Sequence, residues 1–275
     1  MRDKISSPTD DRVKVEIADG VAEVTLNRPD KLNALDAEMF DAIIAAGERL
    51  SQTAGLRAVM LTGAGRGFCA GLDKETFASL AAKGARDLGD LTKRTHGITN
   101  AFQQAAYVWR TLPVPVIAAI HGVALGGGFQ IALGADIRYV APDARLATME
   151  IKWGIVPDMS GIALMRELAR SDVIRELTMT GRIFSGAEAL AYGFATSLHA
   201  DPLAAARATA KEIAARSPHA MRAVKRLLNA SADADTSAIL LVESKEQATL
   251  LASPNQIEAV RAGMEGRPGR FADAG

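Results

Sequence analysis

Two glycine-rich turns are where this 275-residue sequence has the means to do chemistry: Gly63-Ala-Gly-Arg-Gly-Phe-Cys-Ala-Gly-Leu-Asp73 and His121-Gly-Val-Ala-Leu-Gly-Gly-Gly-Phe-Gln130. Glycine lets a backbone turn sharply and come close to a ligand, and unpaired amides at such turns and at helix starts favour negative charge. Either turn alone reads as a tight strand-to-helix connection; together they read as one anion site. A dinucleotide fingerprint is excluded at the first turn, because Gly63 and Gly65 are followed by Phe68 where a third glycine is required. There is no phosphate-loop lysine and no Gly-x-Ser-x-Gly nucleophile elbow. The remaining candidate is an oxyanion that develops during a reaction.

The elements that must carry these turns follow from periodicity. Val13, Val15 and Ile17 alternate with polar residues, Asp19-Gly20 offers a tight turn, and Ala22, Val24 and Leu26 alternate again, so residues 12–27 predict a hairpin. Leu35, Met39, Ile43, Ala46 and Leu50 recur at helical spacing behind Asp36, a plausible N-cap, and 57–62 reads as a buried strand. A second apolar run, 116–120, leads through the glycines to a helical pattern over 130–133, and 137–140 resumes extended character. Beyond Asp172 the β-branched runs end. Alanine-rich amphipathic stretches at 172–180, 186–192, 201–216, 218–231 and 234–251 predict a helical last third. The pattern is α/β, a repeated strand-turn-helix core with C-terminal helices packed on it or on a neighbouring subunit. Residues 78–100, small and polar, are a candidate mobile wall of a pocket.

Composition removes other classes. Hydrophobic residues make up 48% and charged residues 23%, as in a folded enzyme-sized domain. Thirty-two basic and 32 acidic side chains cancel, so no global field favours nucleic acid or an anionic membrane, and any anion binding must be local. No secretory signal or membrane span is evident, and a cytoplasmic protein is expected. Cys69, the single cysteine, excludes an internal disulfide and a thiolate metal cluster within one chain; no metal site is expected.

From about residue 12 to 270 the sequence closely resembles the enoyl-CoA hydratase/isomerase (crotonase) family. The resemblance is carried by Leu26-Asn-Arg-Pro29 with Asn33-Ala-Leu35, Phe68-Cys-Ala-Gly-Leu-Asp73, His121-Gly122 with Gly126-Gly-Gly128, Ala135-Asp-Ile-Arg138, and Gly181-Arg182 with the stretch from Ala187 to Phe194. It implies a spiral of repeated ββα units over 12–200, a C-terminal helical trimerisation region over 201–275, a flexible N-terminus over 1–11, and a homotrimer or homohexamer. It further implies that the amides of Leu72 and Gly127 form an oxyanion hole for an acyl-CoA thioester. Coenzyme A is then part of the substrate, with no separate cofactor, and Arg28, Ala70 and Asp73 line its nucleotide site. Gly127, at a helix start, would add the positive end of a dipole.

By the same resemblance Gln130 stands where hydratases carry their first catalytic glutamate, and Glu150, in Met149-Glu-Ile151, matches the second. An amide can orient a substrate or a water but cannot take and return a proton at neutral pH. Asp158, eight residues after Glu150, is spaced like the acidic pair of dienoyl-CoA isomerases. The resemblance therefore implies double-bond isomerisation with Glu150 and Asp158 as acid/base pair, against hydration by a single glutamate or a silent acyl-CoA binder. Asp158 is alternatively a helix N-cap, and Gln130 binds either substrate or backbone. His121 reads as structural, Cys69 as a buried packer, Asp136 with Arg138 as an internal brace, and Phe129 and Trp153 as acyl-pocket or core residues.

Overall fold

The computed structural model describes residues 3–4, 12–83 and 90–274. Strand β1 (Asp3–Lys4) edges the hairpin of β2 (Val13–Ala18) and β3 (Val21–Leu26). Asp19 and Gly20 both have positive φ, 51° and 76°, as a two-residue turn matching the twist of the strands requires. The expected flexible segment 1–11 lies, apart from β1, outside the described residues. Helix α1 (Ala37–Ser51) starts where predicted: the Asp36 carboxylate accepts the Met39 N–H at 2.8 Å. Strand β4 (Ala58–Gly63) is buried along its whole length and runs parallel to β3. Helix α2 (Lys74–Lys83) and α3 (Ala101–Thr111), the latter with an Asn100/Gln103 capping box, bracket the polar stretch, of which 84–89 lie outside the described residues.

The repeat then becomes visible. Strand β5 (Val116–Ile120) joins the large sheet, β6 (Val123–Leu125) joins a small one, and α4 (Gly127–Leu133) follows. Strands β7 (Ile137–Val140) and β8 (Arg145–Ala147) do the same, followed by a 3-10 turn (Glu150–Trp153), α5 (Gly161–Met165) and α6 (Ser171–Thr180). Strand β9 (Phe184–Ser185), α7 (Gly186–Tyr192) and β10 (Ser197–Leu198) complete the sheets, whose orders are β1-β2-β3-β4-β5-β7-β10 and β6-β8-β9. From β5 onward each turn of the chain thus gives one strand to each sheet, the ββα spiral that the resemblance implies. Helix α4 starts at Gly127, three residues ahead of the predicted helical run, because three glycines hide its periodicity.

Both faces of the large sheet are covered, which is why β4 and β5 are buried throughout and almost wholly apolar. On one side Leu26, Leu61, Trp109, Phe129 and Phe184 lie in the main core; on the other, α8 (Pro202–Ala214) sets Ala206 and Ala210 against Met60 and Ile117. Helices α9 (Pro218–Ser231) and α10 (Thr236–Leu250) match the predicted stretches, and α11 (Pro254–Glu265) extends the helical region beyond them. Its markers were in the sequence, Ser253 as N-cap, Pro254 in the first turn and left-handed Gly266 after the last, but its apolar positions are sparse. Among the described residues no helix is long and apolar enough to cross a membrane.

One buried cation ties α9 to this core. Lys225 Nζ donates to Trp109 O (3.2 Å), Val114 O (2.9 Å) and the Asp136 carboxylate (2.7 Å), which also accepts the Val116 N–H. Arg138 donates to Ala135 O and Phe194 O, so it and Asp136 each brace the interior through partners of their own. Burial pushes the Lys225 pKa down while Asp136 opposes the shift. Replacing one partner strands the other groups in a dry interior. Lys225→Met is expected to lower stability by about 3 kcal/mol in urea unfolding, and an unchanged midpoint would contradict this role.

Candidate active site

The two glycine turns are zipped together edge to edge. Cys69 N–H donates to Val123 O (2.9 Å) and Leu125 N–H donates to Cys69 O (3.0 Å), so the first turn lies along β6. The contact is close enough to require glycine: a Cβ on Gly128 would meet Cys69 O at 2.4 Å, and one on Gly71, whose φ is 84°, would meet Leu125 O at 2.5 Å. The same Gly71 Cβ position is 3.6 Å from Gly127 N, which brings the segments of both predicted donors together.

On its other side the first turn pairs with residue 35. Leu35 N–H donates to Gly71 O (2.8 Å) and Asp73 N–H donates to Leu35 O (2.9 Å). In such a parallel bridge the amide of the intervening residue, Leu72, points away from the partner. Gly126 N–H is taken by Ala147 O (2.8 Å), and Gly127 opens α4, where first-turn amides have no helical acceptor. Among the described residues neither the Leu72 nor the Gly127 amide finds an acceptor in the protein. Asn33 holds the turn from behind. Fully buried and left-handed (φ 56°), it donates from Nδ2 to Ala64 O, Gly67 O and Phe68 O at 2.9–3.1 Å, and its Oδ1 accepts the Arg28 N–H. Nothing in its sequence context marks that role except an asparagine between two turns.

Beside the turns lies a carboxylate with one free oxygen. Glu150 is 6% exposed; its Oε1 accepts the Gln130 Nε2–H at 2.6 Å, and its Oε2 is buried with no hydrogen-bond partner among the described residues. Burial pushes its pKa up, its own main-chain N–H and the Gln130 amide pull the other way, and the Asp158 charge adds to the rise. Glu150 therefore feels the Asp158 charge. Asp158 is more open to solvent, yet desolvation raises its pKa too. It is not an N-cap: α5 begins behind Ser160, which is left-handed and makes no side-chain cap.

Other expected residues take different positions. Gln130, expected among the substrate-binding residues, is fully buried, and its Oε1 accepts the amides of Met159 and Gly161, both at 2.9 Å. Its hydrogen bonds therefore go to two main-chain amides and to the Glu150 carboxylate. Arg28 and Asp73 are spent first on each other: the guanidinium clasps the Asp73 carboxylate, donates to Ala34 O and lies 3.4 Å from Asp36. Burial works against the Asp73 charge, but the Glu75 amide and Arg28 more than offset it, and its pKa falls below the usual range. Ala70 is half-buried, with its N–H donated to Leu32 O. Burial pushes the Cys69 thiol up to about 12, which removes it as a nucleophile. His121 Nε2 donates to Gly65 O at 3.0 Å, tying the turns together. Phe129 packs edge-to-face on Phe184 and Phe194 in the core, whereas Trp153 stacks on Phe77 at 4.7 Å and is over half exposed.

The ββα spiral puts the chain in the crotonase fold class. The chain belongs to the enoyl-CoA hydratase/isomerase family, whose sequence model matches residues 16–274. It is 32% identical over 253 residues to the human mitochondrial Delta(3,5)-Delta(2,4)-dienoyl-CoA isomerase, covering 90% of this chain and 77% of that protein. The crystal structure of enoyl-CoA hydratase from Bacillus anthracis superimposes with a TM-score of 0.86 at 28% identity, covering 94% of this chain and 98% of the other. That of enoyl-CoA hydratase from Mycobacterium marinum does so with a TM-score of 0.81 at 31% identity, covering 95% and 98%. The family acts on acyl-CoA thioesters, and this chain is similar to members named for both reactions.

Asn33→Asp would set a carboxylate against three carbonyl oxygens that now accept hydrogen bonds. A loss of about 3 kcal/mol or more is expected in urea unfolding, larger than for Asn33→Ala; equal losses would contradict the proposed clamp.

Proposed function

We propose that this enzyme shifts a carbon–carbon double bond along an enoyl- or dienoyl-CoA, through an enolate whose oxygen is held by the Leu72 and Gly127 amides. The observation that carries this proposal is the free buried oxygen of Glu150 beside Asp158, with a non-titrating amide at position 130. Removing the proton next to a thioester moves the electron pair onto the carbonyl oxygen. Each preorganised donor aimed at that charge lowers the barrier by roughly 3 kcal/mol, and two lower it by roughly 6, on the order of 10⁴ in rate. The dipole of a seven-residue helix adds at most about 1 kcal/mol. The amides themselves are the larger effect.

In this scheme Glu150 Oε2 takes the proton as the C–H bond breaks, and the double bonds shift along the dienolate. Asp158 then delivers a proton to a carbon further out. Desolvation moves its pKa in the direction that this requires. The pair resets when the proton passes from Glu150 back to Asp158 through solvent, so no water is added and the acyl composition is unchanged. Between the two carboxylates Ile151, Trp153, Ile155 and Val156 are exposed and apolar, a surface an acyl chain can cover. Hydration would need a second group to manage the water, and Gln130 is tied to the protein. The proposal includes a trimer or a dimer of trimers, for which exposed Val224, Leu228, Leu240 and Leu241 on α9 and α10 offer apolar surface.

Incubation with crotonyl-CoA, a 3-enoyl-CoA and a 3,5-dienoyl-CoA, followed by mass measurement, tests the reaction. A shifted double bond at unchanged mass is expected; a product one water heavier would favour the single-glutamate hydratase, and tight binding without turnover a silent binder. Glu150→Gln is expected to lower kcat about 10³-fold with acyl-CoA binding nearly intact. Glu150 must be charged to accept a proton and its pKa is raised, so kcat/KM should fall with decreasing pH above the usual glutamate range. A limb at the ordinary glutamate value would contradict the assignment.

A further inference from the structure

With Glu150 as the base proposed above, we infer that Gln130 is a positioning residue that dictates which Glu150 oxygen moves the proton. It does so from a fixed place between Glu150 and the turn that follows Asp158. Two main-chain donors, Met159 N–H and Gly161 N–H, converge on its Oε1. Turning the amide over would set its NH₂ group against both of them in a fully buried site, an arrangement with no acceptor. The orientation is therefore fixed by the backbone. Nε2 faces Glu150 and donates to Oε1 at 2.6 Å, so Oε1 stays an acceptor in either protonation state and the mobile proton belongs on Oε2.

The fit around the amide is close. A Cβ on Gly161 would sit 2.5 Å from Gln130 Oε1, so the turn presses directly on the side chain. The same turn reaches the oxyanion segment, since a Cβ on Gly127 would meet Met159 Sδ at 2.7 Å. One short helix, α4, thus carries Gly127 and Gln130, and both are held by residues 159–161.

Among the described residues the charge acting on Glu150 is that of Asp158. Helices α4 and α5 and strand β6 contribute no titratable side chain. Lys152, on the Glu150 turn, lies along Gly181; on α6, Arg175 bonds Ser171 and Glu176 pairs with Arg182. A glutamate at 130 would keep an oxygen for the Met159 and Gly161 amides but would press its second oxygen on Glu150 Oε1. Two carboxylates at that distance share a proton, which raises the pH at which Glu150 becomes a base. A methionine would remove the bond that favours the charged form, and the shift has the same sign.

The test is the pH dependence of kcat/KM for wild type, Gln130→Glu, Gln130→Met and Glu150→Gln, with melting temperatures and acyl-CoA affinities alongside. The acidic limb is expected to move up by about one pH unit or more in both Gln130 variants, a roughly tenfold change in proton affinity. An unmoved limb with kcat lowered evenly at all pH values would reduce Gln130 to packing and overturn its positioning role. Should neither variant fold, the infrared band of protonated Glu150 in the wild-type chain, identified by its loss in Glu150→Gln, decides. A hydrogen-bonded carbonyl frequency supports the assignment and a free one overturns it. If Glu150→Gln retains full turnover, the base assignment itself has failed; if it is inactive while the limb stays put, only the role of Gln130 has.

Discussion

The main-chain ladder between Cys69 and the Val123–Leu125 strand is the constraint on which the rest depends. It requires glycine at 71 and 128, because any Cβ there would strike a carbonyl oxygen of the opposing turn. Once these turns are in contact, Gly71 O and Asp73 N–H are taken up by Leu35, and Gly126 N–H by Ala147. The amides of Leu72 and Gly127 are what remains. A pair of donors made this way needs no side chain of its own, and it is as rigid as the sheets that present it.

Around this pair the protein arranges charge economically. Cations and anions near the turns neutralise each other, as in Arg28 with Asp73 and Arg12 with Asp36. Glu150 and Asp158 are left as the carboxylates whose pKa values are pushed up. A raised carboxylate pKa costs folding free energy at neutral pH, since the charged form is better solvated in the unfolded chain. A cost of this kind marks the pair as a candidate functional site. The Lys225–Asp136 bridge serves a different end, holding a helix of the C-terminal region against the core.

The local parts of this design were legible in the sequence. Asp19-Gly20, the Asp36 cap and the apolar runs of β4 and β5 each state their structure within a few residues, and the family resemblance supplied the spiral. What sequence could not give are contacts made across long separations. Gln130 meets amides 29 and 31 residues away, and Arg28 meets Asp73 over 45 residues, so a binding residue and a bracket look alike until the chain is folded. Asp158 resembled a cap because it precedes a helix, but the turn at Ser160 places it outside the capping position. Asn33 drew no notice as a clamp because its three acceptors lie 31 to 35 residues on.

The central claim is that two backbone amides polarise a thioester carbonyl, and the vibrational frequency of that carbonyl reports it directly. A saturated acyl-CoA labelled with ¹³C at the thioester carbon, bound to the wild-type enzyme, is expected to show its carbonyl stretch shifted well below the value in water. A frequency equal to that in water would mean that the Leu72 and Gly127 amides do not converge on the substrate oxygen, and the account given for this fold's chemistry would fail.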